Sequence, residues 1–184
     1  WFSLKTDLSI SSNLIEEVYK NIIFATERSD PAVSFSKPGK NGSLQVRRFN
    51  GILHQFPVVE TNSLNRNKKW SWNLQTPLIL PTGTLSTKPS SGRGLSSELS
   101  QKGIFIKART GGERCKPQGR SKSQKLKKLL QEYQVPPWAR DRLPLVYIDN
   151  ELAAVSDLWV CEGFIAKKNE KGLVLNWSDN LDNI

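Results

Sequence analysis

Residues 103–145 read GIFIKARTGGERCKPQGRSKSQKLKKLLQEYQVPPWARDRLPL, and the changes of pattern inside this stretch set the fold. Ile104, Ile106 and Ala108 alternate with Phe105, Lys107 and Arg109, the period of a strand with one buried face. Residues 110–120 hold Gly111, Gly112, Pro117 and Gly119 and read as a loop. Leu126, Leu129, Leu130 and Tyr133 then recur at helical spacing. They predict a helix over 122–133, with Ser121 as N-cap and Gln124 in the capping-box position. Lys125 and Lys128 fall on its opposite face and Lys127 on a flank. Val135-Pro136-Pro137 ends it, and Pro137 suits the first turn of a second short helix, 138–142.

Downstream the pattern is β: strands at 145–148 and 151–155 about the turn Asp149-Asn150, then 158–161, 164–167 and 173–177. Upstream, Leu14, Ile15, Val18, Ile22 and Ala25 predict a helix over 13–28, with Asn13 as N-cap and Glu16 three positions on. Ser29-Asp30-Pro31 ends it. Strands follow at 32–36, 44–49 and 52–56, with Gly39 and Gly42 marking one turn and Asn50-Gly51 the next. His54 has no Cys, His or Asp pattern around it and reads as an ordinary strand residue. Residues 86–101 are rich in Ser, Gly and Pro and read as a mobile connector. Ser91-Gly92-Arg93-Gly94 lacks the preceding strand and following Lys-Ser/Thr of a phosphate loop. The expected fold class is α+β. Residues 1–56 would end a small helical domain with a β-hairpin, and 57–101 would be a connector with short strands. Residues 102–184 would form a domain of layered, mainly antiparallel sheet with one or two helices.

Charge is unevenly spread along the 184 residues, whose net charge is +10. Residues 102–142 hold 12 basic and 3 acidic side chains, whereas 143–184 hold 3 and 7. Such concentration points to a polyanionic partner. No run of ~20 apolar residues is present, and an anionic-membrane binder would need its apolar face free, which the leucine stripe is expected to bury. Two cysteines, Cys115 and Cys161, suit a reducing cytosol, and with His54 they are too few for a structural zinc site. The chain holds no methionine and opens on Trp1-Phe2-Ser3, which reads as part of a longer protein.

The succession 107–120, then 123–132, then 135–145, with Leu152-Ala-Ala-Val155 and Leu158-Trp-Val160 after it, resembles the C-terminal domain of the tRNA(Ile)-lysidine synthase family. Residues 14–56 and Pro77-Leu-Ile-Leu-Pro81 are similar to the family more thinly. The implied fold of the last domain is PheT/TilS-like, a type also found in the β-subunit of phenylalanyl-tRNA synthetase. Asp157 stands where the family commonly has glycine, and aspartate tolerates a left-handed backbone better than most residues. The resemblance implies an ATP-dependent ligase that joins lysine to C2 of wobble cytidine 34 in isoleucine tRNA with a CAU anticodon. Codon reading then changes from AUG to AUA. Catalysis, ATP and Mg2+ are implied for an N-terminal PP-loop domain marked by Ser-Gly-Gly-x-Asp-Ser, a motif this chain does not contain. No catalytic residue, cofactor or metal is therefore expected here, and the setting is cytoplasmic. A free-standing RNA-binding module of the same domain type is the alternative.

The implied task is to hold the tRNA, at its acceptor stem, for the PP-loop domain. Arg109, Arg114, Lys116, Arg120 and Lys122 flank Gly111, Gly112, Gly119 and the expected start of the helix. Glycine amides and a helix N-terminus suit phosphate. With Lys107, Lys125, Lys128, Arg140 and Arg142 these make the expected tRNA-binding set. A duplex stem is read by shape and phosphates, so charge is expected to matter more than stacking.

Overall fold

The computed structural model describes residues 12–26, 31–36, 43–58 and 63–181, which fall into two compact units, one up to residue 58 and one from residue 63. In the first, helix α1 (Ser12–Val18) runs into a π-helical turn, Tyr19–Ile23. Val18 and Ile22 share a face and bury against Val33 and Val46. These valines belong to a three-stranded antiparallel sheet, β1 (Ala32–Ser36), β2 (Ser43–Phe49) and β3 (Ile52–Pro57). Asn50 and Gly51 both take positive φ, 49° and 76°, as a two-residue hairpin turn requires. Arg48 donates to the carbonyls of Ile23 and Ala25, closing the helix end. Asn13 lies within α1 instead of capping it. Residues 29–30, Gly39 and Gly42 lie outside the described residues. His54 is a strand residue opposite Arg47.

The second unit begins with β4 (Lys69–Ser71), β5 (Leu78–Leu80), β6 (Gly83–Ser91), β7 (Leu95–Ser96) and a 3-10 turn, Ser97–Gln101. Next come β8 (Ile104–Lys107), β9 (Arg114–Cys115), β10 (Gln124–Lys125), α2 (Leu126–Glu132) and α3 (Pro137–Arg140). It ends with β11 (Leu145–Ile148), β12 (Glu151–Val155), β13 (Trp159–Val160) and β14 (Lys171–Asp179). A five-stranded sheet has the order β13-β12-β11-β8-β4, a four-stranded sheet the order β5-β6-β14-β7, and β9 pairs with β10. Every pairing is antiparallel.

Period-2 alternation decides what each face buries. Ile104, Ile106, Val146 and Ile148 of the five-stranded sheet share a core with Leu80, Leu85, Leu95 and Leu175 of the four-stranded sheet. On the other side, Leu126, Leu129 and Leu130 of α2 bury with Leu145, Val155 and Trp159. Each leucine so placed contributes about 1.5–3 kcal/mol. The result is three layers, sheet, sheet and helix, an α+β architecture that is mainly antiparallel.

Several expectations are corrected. The connector read over 57–101 carries β4 to β7, all built into the two sheets, so the second unit starts well before residue 102. Residues 86–91 pair with β14 as part of a nine-residue ladder. Residues 164–167 form no strand and make only a single bridge, Ile165 to Leu95. The helix expected from 122 starts at Leu126, because Gln124 and Lys125 pair with Cys115 and Arg114. Its N-cap position is Lys125, not Ser121, and carries no side-chain cap. The second helix is 137–140. Near Asp157, the left-handed residue is the buried Ser156 (φ 47°), whose hydroxyl donates to Asp157 at 3.1 Å.

Candidate nucleic-acid interface

The glycine loop between β8 and β9 is shaped by its own carboxylate. Glu113 accepts from the amide of Thr110 at 2.5 Å, from the Thr110 hydroxyl at 3.1 Å and from the amide of Gly111 at 2.9 Å. Gly111 and Gly112 supply the left-handed turns this needs, with φ of 97° and 87°. Burial alone would raise the Glu113 pKa, but these hydrogen bonds outweigh it and hold the carboxyl below its usual range. The nest expected to cradle a phosphate thus already contains an anion at Gly111. The expected contribution of a helix N-terminus also goes, since α2 has 7 residues and starts beyond the loop.

The cations divide by what they touch. Arg142 is nine-tenths buried and forks onto Asp179, with Nη2 to Oδ1 at 2.6 Å and Nε to Oδ2 at 2.9 Å. It also donates to the Thr82 carbonyl at 3.2 Å, while the Thr82 hydroxyl donates to its own carbonyl at 2.9 Å. Arg142 is therefore a fastening between α3 and the ends of β6 and β14, not an exposed phosphate ligand. Arg109 is similarly committed, with Nε and Nη2 on Asp141 at 3.0 and 2.7 Å. Arg140 donates to the Val135 carbonyl at 2.8 Å, behind α2. Lys116 pairs with Glu162 at 2.7 Å, and Arg120 with Glu132 at 2.9 Å. These last two pairs are well exposed and weak, so a phosphate could replace either carboxylate.

The remaining cations face solvent. β9 places Arg114 opposite Lys125, and Arg114 donates to the Ser123 carbonyl at 3.0 Å. Lys122, Lys125 and Lys127 are exposed and meet no carboxylate among the described residues. Lys128 is 3.7 Å from Glu132. Lys107 is half-buried over the rings of Phe105 and Tyr147. Gly119 lines a cleft of about 680 Å³ together with Gly92, Lys167 and Lys168. Those two lysines bring positive charge to the cleft from a segment, 143–184, that holds 3 basic and 7 acidic side chains. The structure thus gathers Arg114, Lys122 and Lys125 and separates Arg140 and Arg142 from them.

Cys115 and Cys161 are free and buried. Their thiols are hydrogen-bonded to each other, and the Trp159 indole N–H donates to the Cys115 sulfur at 3.4 Å. These contacts lower the Cys115 pKa against the opposing effect of burial. No helix among the described residues is long and apolar enough to cross a membrane.

Residues 104–177 match the family model of the TilS substrate C-terminal domain. The tRNA(Ile)-lysidine synthase of Coxiella burnetii is 32% identical over 158 residues, 86% of this chain and 34% of that protein. The enzyme of that name from Legionella pneumophila strain Paris is 37% identical over 162 residues, 81% of this chain and 33% of that protein. The chain thus spans about a third of the length of the curated relatives it matches. A solved crystal structure of a TilS C-terminal domain aligns with 61% of this chain and 98% of its own, at 20% identity and a TM-score of 0.42. The β8 strand, the Gly-Gly-Glu-Arg loop and the α2 helix fall inside the matched segment, so residues 104–177 match the TilS substrate C-terminal domain, and the chain is similar to about one third of the length of the tRNA(Ile)-lysidine synthases it aligns with.

Proposed function

We propose that this chain is the tRNA-gripping part of a cytoplasmic tRNA(Ile)-lysidine synthase. Its substrate would be isoleucine tRNA with a CAU anticodon, held through the acceptor stem. A PP-loop domain of the same protein would use ATP and Mg2+ to join lysine to C2 of wobble cytidine 34. The chain's own residues would do no bond-making.

The observation that carries the proposal is the cluster beside β9 and β10. Lys122, Lys125 and Lys127 are exposed and have no carboxylate partner among the described residues, and Lys125 lies opposite Arg114, all within the segment that matches the TilS substrate C-terminal domain. Ammonium groups left in water cost nothing to desolvate until a phosphate arrives, and each contact then releases counterions from the RNA. Lys116 and Arg120 would add contacts by exchanging Glu162 and Glu132 for phosphates. Gly111 and Gly112 would act by shape, presenting the loop, rather than by donating to phosphate.

The test is the salt dependence of tRNA binding between ~50 and 200 mM salt for the chain and for its Lys122→Ala, Lys125→Ala, Lys127→Ala triple variant. The log–log slope should fall by about 2 to 3 units. A slope unchanged by the three substitutions would remove this face from the interface.

A further inference from the structure

The outer face of the five-stranded sheet is only partly covered by α2. Toward its β4 edge it carries residues that register places side by side: Lys69 opposite Lys107, and Phe105 opposite Tyr147. Phe105 and Tyr147 are parallel, 2° between planes, with centroids 5.7 Å apart. Lys107 lies 4.9 Å from the Phe105 centroid and 4.5 Å from that of Tyr147, and Lys69 lies 5.0 Å from Phe105. Phe105 packs into neither apolar core of its unit and Tyr147 borders the α2 core while remaining part-exposed, whereas the strand neighbours Ile104 and Ile106 are buried on the inner face. Among the described residues neither lysine pairs with a carboxylate. The carboxylate whose field reaches the Tyr147 hydroxyl is that of Glu113, and it is turned into the loop amides.

We propose that Phe105 and Tyr147, flanked by Lys69 and Lys107, form a stacking site for an unpaired RNA nucleotide. The proposal rests on the RNA-binding reading above and adds a second mode of contact to it. An ammonium held over a ring at an exposed site is a weak contact, and base–aromatic stacking is the stronger one. A base can therefore displace the lysines from the rings, and the displaced ammonium groups are then within reach of the phosphate on the same nucleotide. A duplex, whose bases are already stacked on one another, can use the lysines but not the rings. The site thus discriminates a strand end or bulge from a continuous stem.

Two RNA hairpins of identical stem, one blunt and one with a short single-stranded 3′ extension carrying 2-aminopurine, test this with the whole chain. The extended hairpin should bind roughly tenfold more tightly, with its 2-aminopurine fluorescence quenched on binding. Phe105→Leu and Tyr147→Leu should abolish that tenfold difference and the quenching while leaving the blunt hairpin's affinity unchanged. Tyr147→Phe keeps the ring and should keep both signals, which guards against loss through misfolding. Equal affinity of the chain for the two hairpins, with a steep salt dependence for each, overturns the stacking site and leaves RNA binding standing. Binding of neither hairpin overturns both readings. Equal loss on both hairpins in the leucine variants also overturns the stacking site.

Discussion

Arg142→Ala should unfold the second unit more easily without weakening its hold on RNA. The side chains of Arg142 and Asp179 are 11% and 12% exposed. Removing the guanidinium leaves the Asp179 carboxylate nearly enclosed without its partner, and strips a donor from the Thr82 carbonyl. Breaking a buried pair from one side costs about 3–5 kcal/mol, and the residual exposure favours the low end, about 3 kcal/mol. For a unit of this size that corresponds to a fall in Tm of about 10 °C or more. Replacing both partners, Arg142→Leu with Asp179→Leu, should cost less than Arg142→Ala alone, because no buried charge is orphaned. Urea and thermal unfolding followed by tryptophan fluorescence give the stabilities, and tRNA titrations at low temperature, where the variant is folded, give the affinities. If Arg142→Ala melts like the parent but loses about one unit of salt slope, the residue is a phosphate ligand and the fastening described above is wrong.

Glu113→Gln removes the charge that organises the glycine loop. Because the folded pKa of Glu113 is below the ordinary carboxylate value, its contribution is present above that value and is lost as pH falls through the folded one. The parent should therefore lose stability relative to the variant on acidification below about pH 4, and equal pH dependence of the two in urea titrations would count against the nest. Gly94→Ala should cost at least about 2 kcal/mol, since its new Cβ would lie 2.3 Å from the Leu173 carbonyl oxygen at φ +78°. Gly112→Ala, whose Cβ would meet nothing within 4 Å, should cost only the left-handed backbone penalty of about 1–2 kcal/mol. The same unfolding measurement separates the two.

What could be read from the chain, and what could not, follows from the range of the interactions. The Asn50-Gly51 hairpin and the buried stripe Leu126, Leu129 and Leu130 are local patterns, and both were legible. The start of α2 was not, because Gln124 and Lys125 are claimed by a pairing with Cys115 and Arg114, 9 and 11 positions earlier. The fates of Arg109 and Arg142 depend on Asp141 and Asp179, 32 and 37 positions along the chain, and no spacing rule reaches that far. Residues 86–91 looked like linker because Ser, Thr, Lys and Pro dominate them. Beyond Leu85 this strand has lost its β5 neighbour and pairs only with β14, so Lys88 and Pro89 are exposed, the Thr87 and Ser90 hydroxyls donate to the carbonyls of Leu74 and Arg93, and the missing N–H of Pro89 is tolerated. Tyr147 and Phe105 were readable as strand residues, but their stacking arises from the register between β8 and β11.

The long ladder between β6 and β14 has a consequence for synthesis. Ser91 must wait for Lys171, 80 residues later, before it acquires its partner. At ~5–20 residues per second that leaves the β5–β6 hairpin with a bare flank for about 4 to 16 s while the ribosome works on. A flank of Val, Ile or Phe would invite a neighbouring nascent chain to pair there. Serines, threonines, Lys88 and Pro89 make it a poor template, so the composition that disguises this strand also protects it until its mate emerges.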